Sequence, residues 1–183
     1  MLRADRPPCT TRGGPRRGAH VAQRDARRLA LGALFEADFG QRTAARVLER
    51  RLAEEGAPAE AADLARQIVG AVVAEREAID ALIAHHAAQY PVGQLARMDR
   101  ALLRSALGEL LHCPTPARVA IAEWVELART YSGEPARRLL NGVLGRVARE
   151  AADRGLEMPA SGNGSEGGGD RRTGGSTGDR NDL

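Results

Sequence analysis

An all-α fold follows from three features of the 183-residue sequence. Apolar residues recur at steps of three and four with no convincing period-2 run, the spacing of one face of a helix rather than of a strand. Aromatic residues make up 3% of the chain against a hydrophobic share of 43%, so burial rests on Ala, Leu, Val and Ile, which pack helices closely. Gly and Pro punctuate the periodic segments, and short loops between amphipathic helices make antiparallel neighbours. The predicted architecture is a compact helical bundle of about seven helices with disordered tails.

Residues 1–22 mix arginines with Pro7, Pro8, Gly13, Gly14, Pro15 and Gly18 and offer little to bury, so a disordered basic arm is expected there. The helical domain is expected over 23–152. Its first helix reads as 24–39, ended near Gly40, and Thr43 caps a second that runs to about residue 55, where Gly56 and Pro58 break it. Leu64, Ile68, Val72, Ile79, Leu82, Ile83 and His86 keep helical steps and predict one long third helix over about 60–88, with Pro91 beyond its end. A further helix over 98–112 carries Leu102, Leu103, Ala106, Leu107 and Leu110 on one side and stops at Cys113 and Pro114. Thr115 as N-cap and Pro116 at the first helical position open the next helix, which Gly133 closes. The last helix, about 134–151, places Leu140, Val143, Leu144 and Val147 on its apolar stripe. Residues 153–183 lose their apolar content to Gly, Ser, Asp and Arg and predict a flexible Gly-rich tail.

Charge is unevenly placed. All 27 basic residues are Arg, whose planar fork grips phosphate with two hydrogen bonds and stacks on bases. The first 28 residues hold eight of them against Asp5 and Asp25, while the whole chain carries only +3. A positive field concentrated at one end is a footprint of nucleic-acid binding. Two cysteines, Cys9 and Cys113, make no disulfide framework, and no apolar run has the length of a membrane span or the form of a secretory signal, so a cytoplasmic protein is expected.

On a helical wheel Ala26, Leu29, Ala30, Ala33, Leu34 and Ala37 share the core side of the first helix. The opposite side presents Arg24, Arg28, Leu31, Phe35 and Phe39, with Arg27 at its margin. That stripe reads either as phosphate-binding forks beside a base-stacking ring, or as a second buried face with only the arginines exposed. Tyr131, followed by Arg137 and Arg138, repeats the aromatic and arginine combination, as a base platform or a packing anchor. His85 and His86 are adjacent, point about 100° apart on a helix, and have no Cys or further His at ligand spacing, so a metal role is not expected. No Gly-rich phosphate loop and no Ser/His/Asp or Cys/His grouping supplies catalysis, and Glu109, Glu123 and Glu126 read as ordinary helix-face acids.

Three blocks of sequence carry a resemblance. They are MDRALLR at 98–104 with ELL at 109–111; VAI at 119–121 with Glu123, then VELAR at 125–129; and NGVL at 141–144. RLA at 28–30 followed by ALF at 33–35 adds an opening motif. In order and spacing these resemble the NusB family of transcription antitermination proteins over roughly 24–150. The resemblance implies two helical sub-bundles packed together and no enzymatic activity or cofactor. It implies binding to the boxA element of nascent ribosomal RNA together with the small-subunit ribosomal protein NusE, in a complex that helps RNA polymerase resist termination. By position it assigns RNA contacts to Arg24, Arg27, Arg28, Phe35, Tyr131, Arg137 and Arg138. It also leaves two alternatives: a domain that guides RNA, related to one fused to ribosomal RNA methyltransferases, and a homodimeric scaffold that hides the RNA surface. Gly108 stands where the family has a large residue, and Trp124 is expected to fill the space.

Overall fold

The structure, a computed structural model, describes residues 15–154, with side chains described from residue 20 onward. The tails expected to be disordered lie, for 1–14 and 155–183, outside the described residues. Seven α-helices follow one another: α1 (Pro15–Ala37), α2 (Ala44–Glu55), α3 (Ala59–Ala74), α4 (Arg76–His86), α5 (Arg97–His112), α6 (Ala117–Ser132) and α7 (Glu134–Asp153). A single 3-10 turn, Val92–Gln94, links α4 to α5. The described residues contain no strand, as the period predicted. The first helix starts at Pro15, inside the stretch read as a disordered arm, and ends at Ala37 rather than at Phe39.

Helices α1, α2 and α3 form one sub-bundle and α4 to α7 another. The two meet where α1 and α3 pack on α5. Every residue of α5 from Ala101 to Leu110 is buried, because helices surround α5 on all sides. That burial explains the run ALLRSALGEL, which lacks the polar face of a surface helix.

Local chemistry fixes the ends. Thr43 Oγ1 accepts from Arg46 N at 3.4 Å, and Gly56 closes α2 in the left-handed region at φ 59°. Gly133, at φ 88°, turns the chain between α6 and α7 and donates to the carbonyls of Ala128 and Arg129 at 3.1 and 3.2 Å. Thr115, however, does not cap α6. Pro116 holds that place, since its carbonyl accepts from Val119 and Ala120, while Thr115 is buried one residue too early.

The long third helix is two helices. Glu75 leaves helical geometry at φ −109° and ψ 24°, redirecting the chain from α3, which packs on α1 and α5, to α4, which packs on α5 and α7. Glu75 N still donates to Ala71 O and Ile79 N to Glu75 O, both at 2.9 Å. The break therefore costs few backbone hydrogen bonds and needs neither Gly nor Pro, leaving no mark in the sequence.

Gly108 lies where α5 meets α3. A Cβ there would stand 2.6 Å from Val72 Cγ2, so Val72 occupies the space of the missing side chain. Trp124 is not that neighbour, although it is fully buried in α6.

Candidate nucleic-acid interface

The first helix distributes its arginines by depth. Arg24 and Arg28 are exposed and Arg27 is 1% exposed. Arg27 therefore does not belong to a ligand-binding surface, contrary to its assignment by position. Its Nε and Nη2 donate to the two oxygens of Glu109 at 2.9 and 2.7 Å, and Glu109 is itself fully buried in α5. Glu109 is thus no ordinary helix-face acid, and it also accepts from Trp124 Nε1 at 2.6 Å. Glu123, 3.9 Å from Arg27 Nη1, borders the same group. The guanidinium fixes how α1, α5 and α6 sit together.

Leu31 is likewise buried, so this part of the stripe is a second packed face, because α1 has neighbours on several sides. Phe35 is half-buried and meets Phe39 edge to face at 5.4 Å between centroids. Phe39, in the turn after α1, is 56% exposed, and the Arg97 guanidinium lies 4.5 Å from its ring centroid. Arg97 is held there by a 2.9 Å hydrogen bond to the Asp38 carbonyl. The Phe39 and Arg97 pair joins positions 58 residues apart, and only Phe39 was visible as a candidate in sequence.

Arg28 donates to Glu55 at 2.6 Å and lies 3.7 Å from Asp25. The hydrogen bond to Glu55 raises the Arg28 pKa against the opposing effect of burial, and Asp25 and the Tyr131 phenol add to it from nearby. Tyr131 is 42% exposed in the last turn of α6, whose end is tied to α5 by the Ser132 hydroxyl donating to Asp99. Arg137 and Arg138 both grip Glu134, Arg137 through two bonds of 2.8 Å and Arg138 through one of 3.3 Å. Arg24 lies about 6 Å along α1 from Arg28 on one side and Phe35 about 10 Å on the other. No contact among the described residues ties Phe35 to Tyr131.

Most of these cations are paired with exposed carboxylates. Such pairs contribute about 0–1 kcal/mol in water, so a phosphate can displace them at small cost. This surface offers guanidinium forks and two exposed rings. Cys113 is buried, and its thiol is pushed up to about 12 by burial and then by Glu109. It is protonated and inert.

The sequence profile of the NusB family matches residues 24–149. The transcription antitermination protein NusB of Dehalococcoides mccartyi strain 195 is 38% identical over 134 residues, covering 73% of this chain and 94% of its own. That of Symbiobacterium thermophilum is 40% identical over 138 residues, covering 70% and 90%. Among solved structures, T. maritima NusB superposes with a TM-score of 0.65 at 31% identity, covering 70% of this chain and 91% of that one. A structure of the antitermination factors NusB and NusE in complex with double-stranded RNA superposes at 0.64 and 23% identity, covering 71% and 98%, a likeness of fold.

Proposed function

The chain belongs to the NusB family, and on that premise we propose that it is a non-catalytic, RNA-binding transcription antitermination factor acting on boxA of nascent ribosomal RNA with the ribosomal protein NusE. Curated relatives are transcription antitermination proteins, and a related fold has been solved with NusE and RNA. The observation that carries the reading is the exposure of Arg24 and Arg28 on α1 and of Tyr131 in the last turn of α6, which leaves guanidinium forks and an aromatic ring open to a ligand.

Arg24, Arg28, Arg137 and Arg138 supply phosphate contacts, which position the RNA without reading it. Tyr131 and the exposed edge of the Phe35 and Phe39 pair supply stacking faces, which suit unpaired bases. Arg27 acts at one remove, by setting how α1 lies against α5 and α6. NusE extends the surface and sharpens sequence preference, and the assembly joins the RNA polymerase antitermination complex in the cytoplasm, where nascent transcripts are. No helix among the described residues is long and apolar enough to cross a membrane.

The test is fluorescence anisotropy of a labelled single-stranded boxA-type RNA, a scrambled strand and a duplex, each with and without NusE. Binding should favour the boxA strand, sharpen with NusE and weaken in Arg28→Ala and Phe35→Ala. Four phosphate contacts predict a slope of about −3 for log affinity against log salt. Indifference to RNA sequence and to NusE overturns the proposal. Gel filtration with and without RNA separates a homodimer that masks the surface, which would dissociate on binding.

A further inference from the structure

The end of α4 lies against the last turns of α7, well away from the arginine surface. His85 and His86 close α4, and Glu150 faces them from α7, about 20 Å along that helix from Arg137. One ligand-capable atom from each of the three residues lies within 4.8 Å of those from the other two. The His86 side chain is 8% exposed, and its Nε2 is buried with no hydrogen bond of acceptable geometry, although Glu150 Oε2 is 3.1 Å away. A polar nitrogen shut from water and aimed at a carboxylate it does not properly bond is the exception among buried groups.

We propose that His85, His86 and Glu150 form a binding site for a zinc-class divalent cation, with water completing a tetrahedral shell. Two imidazole nitrogens and one carboxylate oxygen are a zinc donor set, whereas magnesium and calcium take oxygen. Zinc bonds of about 2.0–2.1 Å set neighbouring ligand atoms roughly 3.4 Å apart. The 3.1 Å between His86 and Glu150 is close to that, and exposed His85 has the freedom to rotate inward. The two rings already stand edge to face, 4.7 Å between centroids.

The surroundings favour the geometry. Glu150 divides its oxygens: Oε1 pairs with Arg154 and Oε2 turns to His86. Arg154 thereby orients the carboxylate, as hydrogen bonds to a ligating carboxylate do. Arg146 donates to the His86 carbonyl at 2.5 Å and fixes the end of α4. The positive charges of Arg146 and Arg154 oppose a dication and make the site weaker than a closed structural zinc site. Spacing along the chain does not show the cluster because Glu150 lies 64 residues beyond His86.

The experiment is calorimetric titration of the chelator-treated full chain with zinc chloride, paired with melting by circular dichroism. One zinc per chain should bind and raise Tm by bridging α4 to α7. His85→Ala, at an exposed position that leaves folding intact, and Glu150→Gln should each weaken binding at least about tenfold, the minimum expected when a ligand rather than its outer partner is lost. Cobalt in place of zinc should give the visible absorption of a tetrahedral centre in the wild type and lose it in both variants. Absence of saturable binding by the wild type, or unchanged binding in both variants, overturns the proposal. Affinity for boxA-type RNA should not respond to zinc.

Discussion

Arg27 and Glu109 are 82 positions apart in the chain and meet as a doubly hydrogen-bonded ion pair in the interior, their side chains 1% and 0% exposed. Burying either charge alone costs several kcal/mol, so each residue requires the other. The Trp124 indole donates to the same carboxylate, and the three residues join the two sub-bundles.

Removing one partner leaves the other charge buried. Glu109→Ala should lower stability by about 3–5 kcal/mol, read by urea denaturation. The double variant Arg27→Met with Glu109→Leu should lose less than the two single losses summed. Trp124→Ala should also cost about 3–5 kcal/mol, since its ring is fully buried. A Glu109→Ala loss below about 1 kcal/mol would show that water reaches the pair.

Gly108→Ala sets helix propensity against space. Alanine gains about 1 kcal/mol in a helix interior, but its Cβ would meet Val72 Cγ2 at 2.6 Å, and overpacking costs about 1–3 kcal/mol. A β-branched side chain cannot swing aside, so a net loss of about 1 kcal/mol is expected. Combined with Val72→Ala, the effects should fall short of additive by at least about 0.5 kcal/mol. Additive losses in thermal melts would show that α3 and α5 separate freely.

Acid stability should depend on Asp38. Burial alone would raise its pKa, but the hydrogen bond from Arg100 and the charges of Arg104 and Arg76 outweigh burial and lower it. A depressed carboxyl stabilises the fold above its unfolded pKa of about 3.9, and that contribution is lost as pH falls through the lower folded value. Asp38→Asn should cost about 1–3 kcal/mol at pH 7 and make the fall of stability below about pH 4 shallower. Identical acid profiles for variant and wild type would contradict this.

Glu134 restrains the arginines proposed to meet RNA. The hydrogen bond from Arg137, with that from Arg138, holds its carboxyl down to about 2, so it is ionised at any working pH. Glu134→Gln frees both forks and removes a charge that repels phosphate. Affinity for boxA-type RNA should rise about two- to fivefold at low salt, the scale of one exposed ion pair, and the gain should fade as salt screens it. Weaker binding by this variant would mean that Glu134 positions the arginines rather than masking them.

Cys113 should resist alkylation in the native protein. Its burial and raised pKa remove both access and thiolate. Mass spectrometry after iodoacetamide treatment should find it unmodified until denaturant unfolds the chain. Rapid native labelling would show that the end of α5 opens.

Helical periodicity located five of the seven helices one by one, while its long third segment holds the other two, divided at Glu75. Val72 and Ile79 stand seven residues, about two helical turns, apart on either side of the bend, so the buried faces of α3 and α4 stay in phase while the axis turns. Of the proposed RNA contacts, Arg24, Arg28, Tyr131 and Arg138 lie exposed, as a surface role requires, and Phe35 and Arg137 are half-buried. Arg27 was indistinguishable from them in sequence.

The sequence by itself determined what local rules reach: an all-α chain, the caps at Thr43, Gly56 and Gly133, the family, and an arginine-rich first helix. Only the tertiary structure decided which of three closely spaced arginines faces inward, that Glu109 waits for it, and that Glu150 meets His86. Local conformation follows from neighbours in the chain, whereas the depth and pairing of a charge depend on residues tens of positions away.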